Sequence, residues 1–480
     1  MDSKISPQIP DQDVSAKLLA ALADQAHLPV SPAERQAAAT TIGDTIGVML
    51  AGAGDVRSRQ LLSTMMTLPH EWAGLSRLPG GEVWASPADM ALVLGFSAHL
   101  LDFDDDETEI AMAHLSAPCL SAALAIAGRA GGEADGAALV DAYVAGCQTM
   151  LALGRVVNPA LYKAGWHATS VLGAFGAVSS AARLLRLSKE QTIHAFGLAA
   201  SLVSGPRGAF GGEGKPLQVG HAAASGVRAA QLAQSGWISA PGALAGRRGV
   251  LTRMVGAFDV VTDEALPPFP PIGFVTKPYP SCTATHAAVT QVLSLMAQQA
   301  EGREASAISS LQCAVDPFVP QILIAHTPTS ADEARFSLPY CLAAAAVHGS
   351  LGLSAFENGA FSADGPSDPA VMALMSRIAI TSTDDLPKGP SGISTGAEIR
   401  IEWQDGFSLE GRRDAGPGSY QAPLSDAQLR AKFSLCTEGL VENEKQDALW
   451  RRILTLAEAP SAGAFIDMLP AIFMLQGQDR

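Results

Sequence analysis

The stretch TSVLGAFGAVSSAARLLRL, residues 169–187, places apolar side chains at helical spacing in a background of alanine, glycine and serine. Comparable Ala-rich stretches lie at 117–130, 137–156, 189–202 and 219–235, joined by short connections. Alanine is the strongest helix former, and small side chains let helix axes approach closely. These segments therefore predict a domain of closely packed helices.

Further helices are predicted upstream. The first 13 residues are polar, contain two prolines and predict a flexible end, whereas residues 14–26 have helical spacing. Ser31, Pro32 and Glu34 supply an N-cap, a first-turn proline and a capping-box glutamate, so a second helix is predicted through the apolar run 41–53. A loop at 74–86 and a helix at 88–101 follow.

The composition of the sequence changes after residue 240, where prolines are frequent at 241, 267–271 and 278–280. Beyond a boundary near 265, helices at 285–299, 337–347 and 369–378 alternate with strands at 307–316, 397–403 and 407–411. The tail at 425–475 returns to helices. The predicted fold class is mainly α with a smaller α+β domain: residues 1–265 and 413–480 form a large all-helical domain from both chain ends, and residues 266–412 form an inserted α+β lid domain.

Composition narrows the function. The chain has 480 residues, which favours two domains, and a net charge of −15, which opposes nucleic-acid binding. The polar N-terminus lacks the apolar core of a signal peptide, and the most apolar stretch, 111–128, fits a buried helix better than a membrane span. Cytoplasmic residence is therefore expected. The six cysteines are far apart and form no Cys-x-x-Cys pair.

The densest charge run follows the predicted helix at 88–101. It contains Asp102, Asp104, Asp105, Asp106, Glu107 and Glu109. Such a run is ordinarily a solvated loop. Apolar helices frame it on both sides, however, and His114 lies just downstream, so an acid and a base could face one cleft, and crowded carboxylates raise one another's pKa. A divalent metal is the lesser alternative, because the glycine-punctuated pattern of a calcium loop is missing.

Five further polar residues stand in the apolar background. His167 precedes a predicted helix whose free N–H groups favour an anionic ligand, although a core histidine is the commoner case. Lys215 follows a glycine-rich loop and could reach a carboxylate, as could Lys277 in the proline-rich crossing. His286 and Tyr340 each lie at a predicted helix start, where either residue alone is often structural.

Several common enzyme classes lose support from missing motifs. The sequence has no Gly-x-Ser-x-Gly elbow, no His-Glu-x-x-His pair and no Rossmann glycine fingerprint. Serine hydrolase, zinc protease and nicotinamide-dependent enzyme are thus disfavoured, and no cofactor or metal is predicted.

Taken in order, the motifs resemble those of the MmgE/PrpD family, which includes 2-methylcitrate dehydratases, cis-aconitate decarboxylases and iminodisuccinate epimerases. The resemblance covers nearly the whole chain. It rests on TIGDTIGVMLAG at 41–52, AHLLDFDD at 98–105, HLSAP at 114–118, GWHAT at 165–169, KPLQVG at 215–220, KPYP at 277–280 and RFSLPY at 335–340.

The resemblance implies a helical domain built from both chain ends, a smaller α+β lid and a homodimer. Carried over by position, it implies a pocket of Asp102, His114, His167, Lys215, His286 and Tyr340, with Lys277, Asp106 and Gln218 as further substrate-binding positions. Two of these depart from the family pattern: Asp106 stands where threonine is common, and Gln218 where histidine is typical. An extra carboxylate near the substrate would repel a tricarboxylate.

The reaction classes of the family share carbanion or enolate-like charge, which requires a base, an acid and cations in a closed site. In this scheme Lys215 and His167 hold the substrate carboxylate, Asp102 with His114 supplies the oriented base, and His286 and Tyr340 exchange the second proton from the lid. The chain is thus expected to be a cofactor-independent lyase, first a dehydratase of a small hydroxy polycarboxylic acid such as a 2-methylcitrate-like substrate. Decarboxylase, epimerase, non-catalytic acid binder and metal-dependent hydrolase are the alternatives.

Overall fold

The computed structural model describes residues 11–65, 75–77, 84–129, 132–256, 258, 265–299 and 303–470. Eleven α-helices precede residue 256 in these ranges and share one hydrophobic core. They are α1 (Asp11–His27), α2 (Pro32–Ala53), α3 (Val56–Met65), α4 (Pro87–His99), α5 (Ser116–Ala127), α6 (Gly136–Val157), α7 (Ala160–Lys163), α8 (Ala168–Leu184), α9 (Lys189–Ala199), α10 (Gly214–Gln234) and α11 (Val250–Val255).

The helix-start signals in the sequence are confirmed by the structure. Ser31 accepts the N–H of Glu34 while the Glu34 carboxylate accepts the N–H of Ser31, which completes the capping box at the start of α2. The Ala-rich α8 lies at the centre and packs against α5, α6 and α10, and α10 in turn packs against α4. Gly95 and Gly220 meet where α4 crosses α10, and a Cβ atom on Gly220 would lie only 2.3 Å from the Leu92 carbonyl oxygen. This close crossing brings the ends of α4 and α10 together.

A second core surrounds a four-stranded sheet with the strand order β10-β9-β5-β8. Strand β5 pairs antiparallel with β9 and parallel with β8, and β9 and β10 form the hairpin predicted around Gly406. Helices α12 and α14 pack beside the sheet. The elements of this part are β5 (Ile308–Val315), β8 (Ile378–Ser382), β9 (Ala397–Trp403), β10 (Ser408–Arg413), α12 (His286–Gln298), α13 (Ala331–Ala334), α14 (Leu338–His348) and α15 (Pro369–Met375).

The described residues also contain three pairs of two-residue strands: β1 (Ser76–Arg77) pairs with β2 (Trp84–Ala85), β3 (Asp106–Glu107) with β4 (Phe274–Val275), and β6 (Phe361–Ser362) with β7 (Gly365–Pro366). The β3–β4 pair joins the acidic run to the proline-rich crossing. The architecture is mainly α with a smaller α+β part, which confirms the predicted fold class.

The chain end packs back on the first core through α16 (Asp426–Thr437), α17 (Asn443–Leu454) and α18 (Ala462–Asp467). The ring of Phe433 packs against Trp450, and the ammonium of Lys432 lies 2.7 Å from the Asp44 carboxylate of α2. Lys432 also donates to the Phe103 carbonyl. Helix α16 therefore contacts the acidic run through Lys432. The domain boundaries at 265 and 412 stay predictions.

Some predicted elements differ in the structure. The segment predicted as a loop at 74–86 contains β1 and β2, which pair with each other. The sequence there has no alternation of apolar and polar residues that would predict strands. Helix α15 ends at Met375, and residues 378–382 form β8 because pairing with the buried β5 outweighs the local helical pattern. Helix α10 begins at Gly214, so Lys215 lies in its first turn. Residues 1–10 of the predicted flexible end lie outside the described residues.

One helix of the described residues, Gly136–Val157, is long and apolar enough to cross a membrane, yet 78% of its most apolar window is buried inside the protein. Its faces contact α1, α5 and α8. Burial against other helices explains its composition.

Candidate active site

A cleft with a cavity volume of about 100 Å³ lies between the two cores and is partly open to solvent. The helical core supplies one wall through the acidic run and the starts of α8 and α10, and the α+β part supplies the other. The cleft joins a small polar end to a larger apolar wall, the usual composition of a small-molecule site. The predicted residues that line it are Asp102, Asp106, His114, His167, Lys215 and Lys277.

Asp102 anchors the polar end. It follows α4 in a left-handed conformation, with φ +49°, an uncommon state for a non-glycine residue that often marks functional sites. Its Oδ1 lies 2.5 Å from Nζ of Lys215, and its Oδ2 lies 3.2 Å from Nζ of Lys277. Burial alone would raise the pKa of Asp102, but the two ammonium groups outweigh it and hold that pKa well below its usual range. Asp102 is therefore ionised.

His99 links the two parts of this end. Its Nδ1 lies 2.8 Å from Asp104 and its Nε2 lies 2.7 Å from Nζ of Lys215. A carboxylate can only accept and an ammonium can only donate, so Nδ1 carries the proton and Nε2 accepts. Burial lowers the pKa of His99 to about 4, which agrees with a neutral ring. His99 thus holds the Lys215 ammonium in place.

His114 lies at the edge of the cleft next to His99, and the ring centroids are 4.4 Å apart. Its Nδ1 lies 3.3 Å from the same Asp104 carboxylate, and its Nε2 lies 4.0 Å from Asp102. Burial raises the pKa of Asp104, but the imidazoles of His99 and His114 outweigh it and hold the pKa well below its usual range. One buried carboxylate therefore orients two imidazoles.

The orientation of His167 is fixed by Gln218. The amide Nε2 of Gln218 donates to the Pro206 carbonyl at 3.0 Å, so its Oε1 faces His167 Nδ1 at 2.9 Å and must accept. Nε2 of His167 is then an unprotonated acceptor, and it is buried without a protein partner. Burial and, next, the charge of Lys215 lower the pKa of His167 well below its usual value. His167 therefore presents a neutral, basic nitrogen at the cleft.

The acidic run is not the solvated loop that such sequences usually form, because Asp102, Asp104, Asp105 and Glu107 are all buried. Asp105 accepts the N–H groups of Leu115 and Ser116 at the start of α5. Burial, and next the charge of Asp104, raise the pKa of Asp105 to about 7. Burial also raises the pKa of Glu107 to about 7, against three backbone N–H groups that stabilise its charge. Burial and nearby carboxylates thus raise the pKa values of Asp105 and Glu107. Nearby cations and imidazoles lower those of Asp102 and Asp104.

A metal ion could be held only by giving up existing contacts. Among the described residues, one group with suitable ligand atoms lies at the cleft, all within 4.8 Å of one another: His99, Asp102, Asp104 and His114. The ammonium of Lys215 already lies within hydrogen-bond distance of two members of this group. A divalent cation would have to displace that ammonium.

The remaining predicted residues lie around or away from the cleft. Asp106 lines it and accepts the Thr283 hydroxyl at 2.7 Å, which ties the acidic run to the α+β part. Gln218 acts on His167 rather than on the cleft itself. His286 lies behind Lys277 with its Nε2 3.1 Å from the Ser281 carbonyl, and burial, then Lys277, lower its pKa to about 3. Tyr340 donates to the Ala355 carbonyl and packs on Phe356.

His286 and Tyr340 therefore do not line the cleft in this structure, although the sequence places them in the pocket. Sequence reasoning, in turn, passed over His99, which lay inside a predicted helix. Its position five residues before Asp104, in the last turn of that helix, is the signal that could have revealed it. Apolar side chains such as Phe210, Phe318 and Phe336 also line the cleft, and they belong to no sequence motif.

Comparison with known proteins matches both halves of the chain. The MmgE/PrpD N-terminal domain matches residues 18–263 and the MmgE/PrpD C-terminal domain matches residues 279–457. Human (Homo sapiens) cis-aconitate decarboxylase is 26% identical over 408 residues, covering 80% of this chain and 79% of that protein. Aspergillus terreus cis-aconitate decarboxylase is 21% identical over 436 residues, covering 84% and 85%. The cis-aconitate decarboxylase-like protein oryM of Aspergillus oryzae is 24% identical, covering 68% and 70%.

Proposed function

This chain belongs to the MmgE/PrpD family, and from that premise we propose that it is a cofactor-independent lyase that dehydrates a small β-hydroxy carboxylic acid. One observation carries the proposal: two ammonium groups and two differently held imidazoles face the same cleft. Elimination of water needs cations for the developing enolate, a base for the Cα proton and an acid for the leaving hydroxyl.

Each group has a task in this scheme. Lys215 and Lys277 bind the substrate carboxylate and stabilise the charge that develops on it. Nε2 of His167 removes the Cα proton, the electron pair forms the double bond, and His114 protonates the departing hydroxyl so that water leaves. Asp102 is a counter-ion rather than the base, because its two carboxylate oxygens lie 2.5 Å from Nζ of Lys215 and 3.2 Å from Nζ of Lys277.

Decarboxylation is the second candidate, favoured by the similarity to the human and Aspergillus terreus cis-aconitate decarboxylases and to the cis-aconitate decarboxylase-like protein oryM. In that reaction the carbon–carboxylate bond breaks and the electron pair left on carbon takes a proton from His114. The same lysines would hold the carboxylate that remains. A homodimer and cytoplasmic residence, both expected from the sequence, remain predictions.

Proton NMR in deuterated buffer tests the function. Chelator-treated protein is incubated with β-hydroxy acids, their unsaturated counterparts, cis-aconitate and 2-methylcitrate. Dehydration is expected to give an unsaturated product, together with deuterium at Cα of the hydroxy acid when the reverse reaction adds a solvent deuteron. Decarboxylation would instead give a product that is one carbon shorter. Binding without any chemistry would identify an acid-binding protein and refute the lyase.

Replacing Lys215 tests whether its ammonium group takes part in the proposed reaction. Lys215→Ala is expected to lower kcat/KM by at least about 100-fold, because a charge-assisted contact to the developing enolate is lost. The matched control is Lys445→Ala, which removes an exposed lysine far from the cleft. An unchanged rate in Lys215→Ala, with the circular dichroism spectrum retained, would remove Lys215 from the reaction.

A further inference from the structure

We infer that the substrate of this cleft carries a single carboxylate and an apolar, preferably aromatic, body. The inference rests on the proposed function for its chemistry, but its binding part can be tested separately. It depends on two observations, the charge balance of the polar end and the composition of the opposite wall.

The polar end has little positive charge to spare. Among the described residues of its lining, Lys215 and Lys277 are the ammonium groups, and Asp102 already contacts both of them. Asp106 and Glu107 add two more carboxyl groups to the same lining. Because Asp102 shares both ammonium groups and Asp106 adds a carboxyl group, a first substrate carboxylate can bind beside the ammonium groups, whereas a second or third would compete for them and meet like charge.

The opposite wall is apolar. It is formed by Phe210, Phe318, Val319, Ile322, Phe336 and Ile393. The rings of Phe210 and Phe336 lie 5.5 Å apart at 36°, so they offer an aromatic surface to a flat ligand. The polar groups beside this wall include the hydroxyl groups of Thr395 and Ser391. The Arg207 guanidinium lies 5.9 Å from the ring centre of Phe210, where it donates to the Tyr162 and Gln321 carbonyls.

The two parts of the cleft are continuous. The Lys215 ammonium lies 5.4 Å from the Phe210 ring centre and 5.2 Å from that of Phe336. A carboxylate bound by Lys215 would therefore place its β-substituent against these rings. The further carboxylates of a polyacid would instead lose water against apolar carbon, with no ammonium group of the described lining left to pair with them.

A β-hydroxy acid with an aryl or branched alkyl group at Cβ fits this arrangement. Its carboxylate reaches the lysines, its Cα proton lies near His167, and its apolar group covers the aromatic wall. Loss of the Cα proton and of the β-hydroxyl gives a cinnamate-type product and water, so no further reactant is needed.

Calorimetric titration with 3-hydroxy-3-phenylpropionate, cinnamate, cis-aconitate and 2-methylcitrate tests the inference, together with NMR turnover of the same acids. The aryl monoacids are expected to bind at least about tenfold more tightly than either tricarboxylate. Tighter binding of a tricarboxylate would overturn the inference. If a tricarboxylate is also turned over, and Lys215→Ala abolishes that turnover, the lyase proposal stands while the inferred substrate class fails.

Variants of the wall sharpen the test. Phe336→Ala is expected to weaken binding of the aryl acids at least about tenfold but that of 3-hydroxybutyrate by less than about threefold, because a methyl group covers much less of the ring than an aryl group does. Phe336→Leu serves if the alanine variant does not fold, and Trp237→Ala, an exposed aromatic residue outside the cleft, is the control. Equal losses for both acids would overturn the inference.

The remaining outcome separates the two proposals. If the aryl acids bind in a manner that depends on Phe336 yet none of the acids reacts, the binding inference is supported and the lyase is refuted. Asp106→Asn adds a further check, since removal of this carboxylate is expected to improve tricarboxylate binding several-fold, and a loss would contradict the charge argument.

Discussion

At the scale of single residues, the site is a set of hydrogen bonds that fix protons. The carbonyl of Pro206 fixes the Gln218 amide, and that amide fixes the tautomer of His167. The family pattern has histidine at position 218, so this chain uses a different side chain there. Gln218 lies three residues after Lys215 on one helical face, and that spacing alone predicts proximity.

Gln218→Leu is expected to lower kcat about 10- to 100-fold, because Nδ1 of His167 loses its acceptor and the basic nitrogen is no longer fixed at the cleft. Nitrogen NMR of the imidazole should then show mixed tautomers, which a merely structural role would not produce. Gln218→Glu is expected to raise the pKa of His167 and move the acid limb of kcat to higher pH. Gln234→Leu, on the same helix, is the control, and unchanged tautomers would contradict the role.

At the scale of elements, the site is built where three helix ends meet. Helix α4 ends at His99, α8 begins after His167, and α10 begins at Gly214 beside Lys215. The sequence predicted α4 and α8 to within a few residues, because their apolar spacing is long and regular. It did not predict that α10 begins before Lys215, since glycine at 211, 212 and 214 reads as a loop.

Gly220→Ala tests the crossing of α4 and α10. The added Cβ atom would collide with the Leu92 carbonyl, so the helices must separate, and a loss of about 1–3 kcal/mol in unfolding free energy is expected. Activity should fall as well, because Lys215 and Asp102 move apart with the helices. Gly242→Ala, where a Cβ atom meets no neighbour, is the control. Full stability in Gly220→Ala would disprove the tight crossing.

Asp105 gives α5 a buried, titratable N-terminal cap. Its pKa is raised from 3.8 to about 7, so the folded protein binds its proton more tightly, and the stability it contributes below pH 4 is lost as pH rises to about 7. Asp105→Asn lacks this titration. The unfolding free energy of the variant relative to the native protein is therefore expected to increase by a few kcal/mol between about pH 4 and pH 7.

Urea denaturation at a series of pH values measures this difference, in which the titrations of other groups cancel. Asp135→Asn, at the exposed cap of α6, is the matched control. A difference that stays flat from pH 4 to pH 7 in Asp105→Asn would contradict a raised pKa at this residue.

At the scale of the whole molecule, residues far apart in the chain close the cleft. Composition and periodicity predicted two differently built parts and a helical tail that returns to the first. They could not predict the aromatic wall, because Phe210, Phe318 and Phe336 come from separate loops and meet only after both cores have formed. The same holds for His286 and Tyr340, whose side chains turn into the α+β part.

Lys432→Met tests how the tail supports the site. The change leaves the Asp44 carboxylate buried without its partner and removes a donor from the Phe103 carbonyl, so a loss of about 3–5 kcal/mol in stability is expected. Urea denaturation measures it, and Lys432→Met with Asp44→Asn should recover part of the loss because the unpaired charge is gone. A double variant less stable than the single one would contradict the pairing.

The Lys215 ammonium contacts two members of a group of imidazoles and carboxylates that has the composition of a metal-binding site. A positive charge supplied by a lysine side chain is present in every copy of the protein as soon as the chain has folded. It needs no uptake, insertion or chaperoning, and it cannot be exchanged for a competing ion. A cell that was starved of trace elements would thus leave this charge in place, and only mutation or covalent modification of the lysine could remove it.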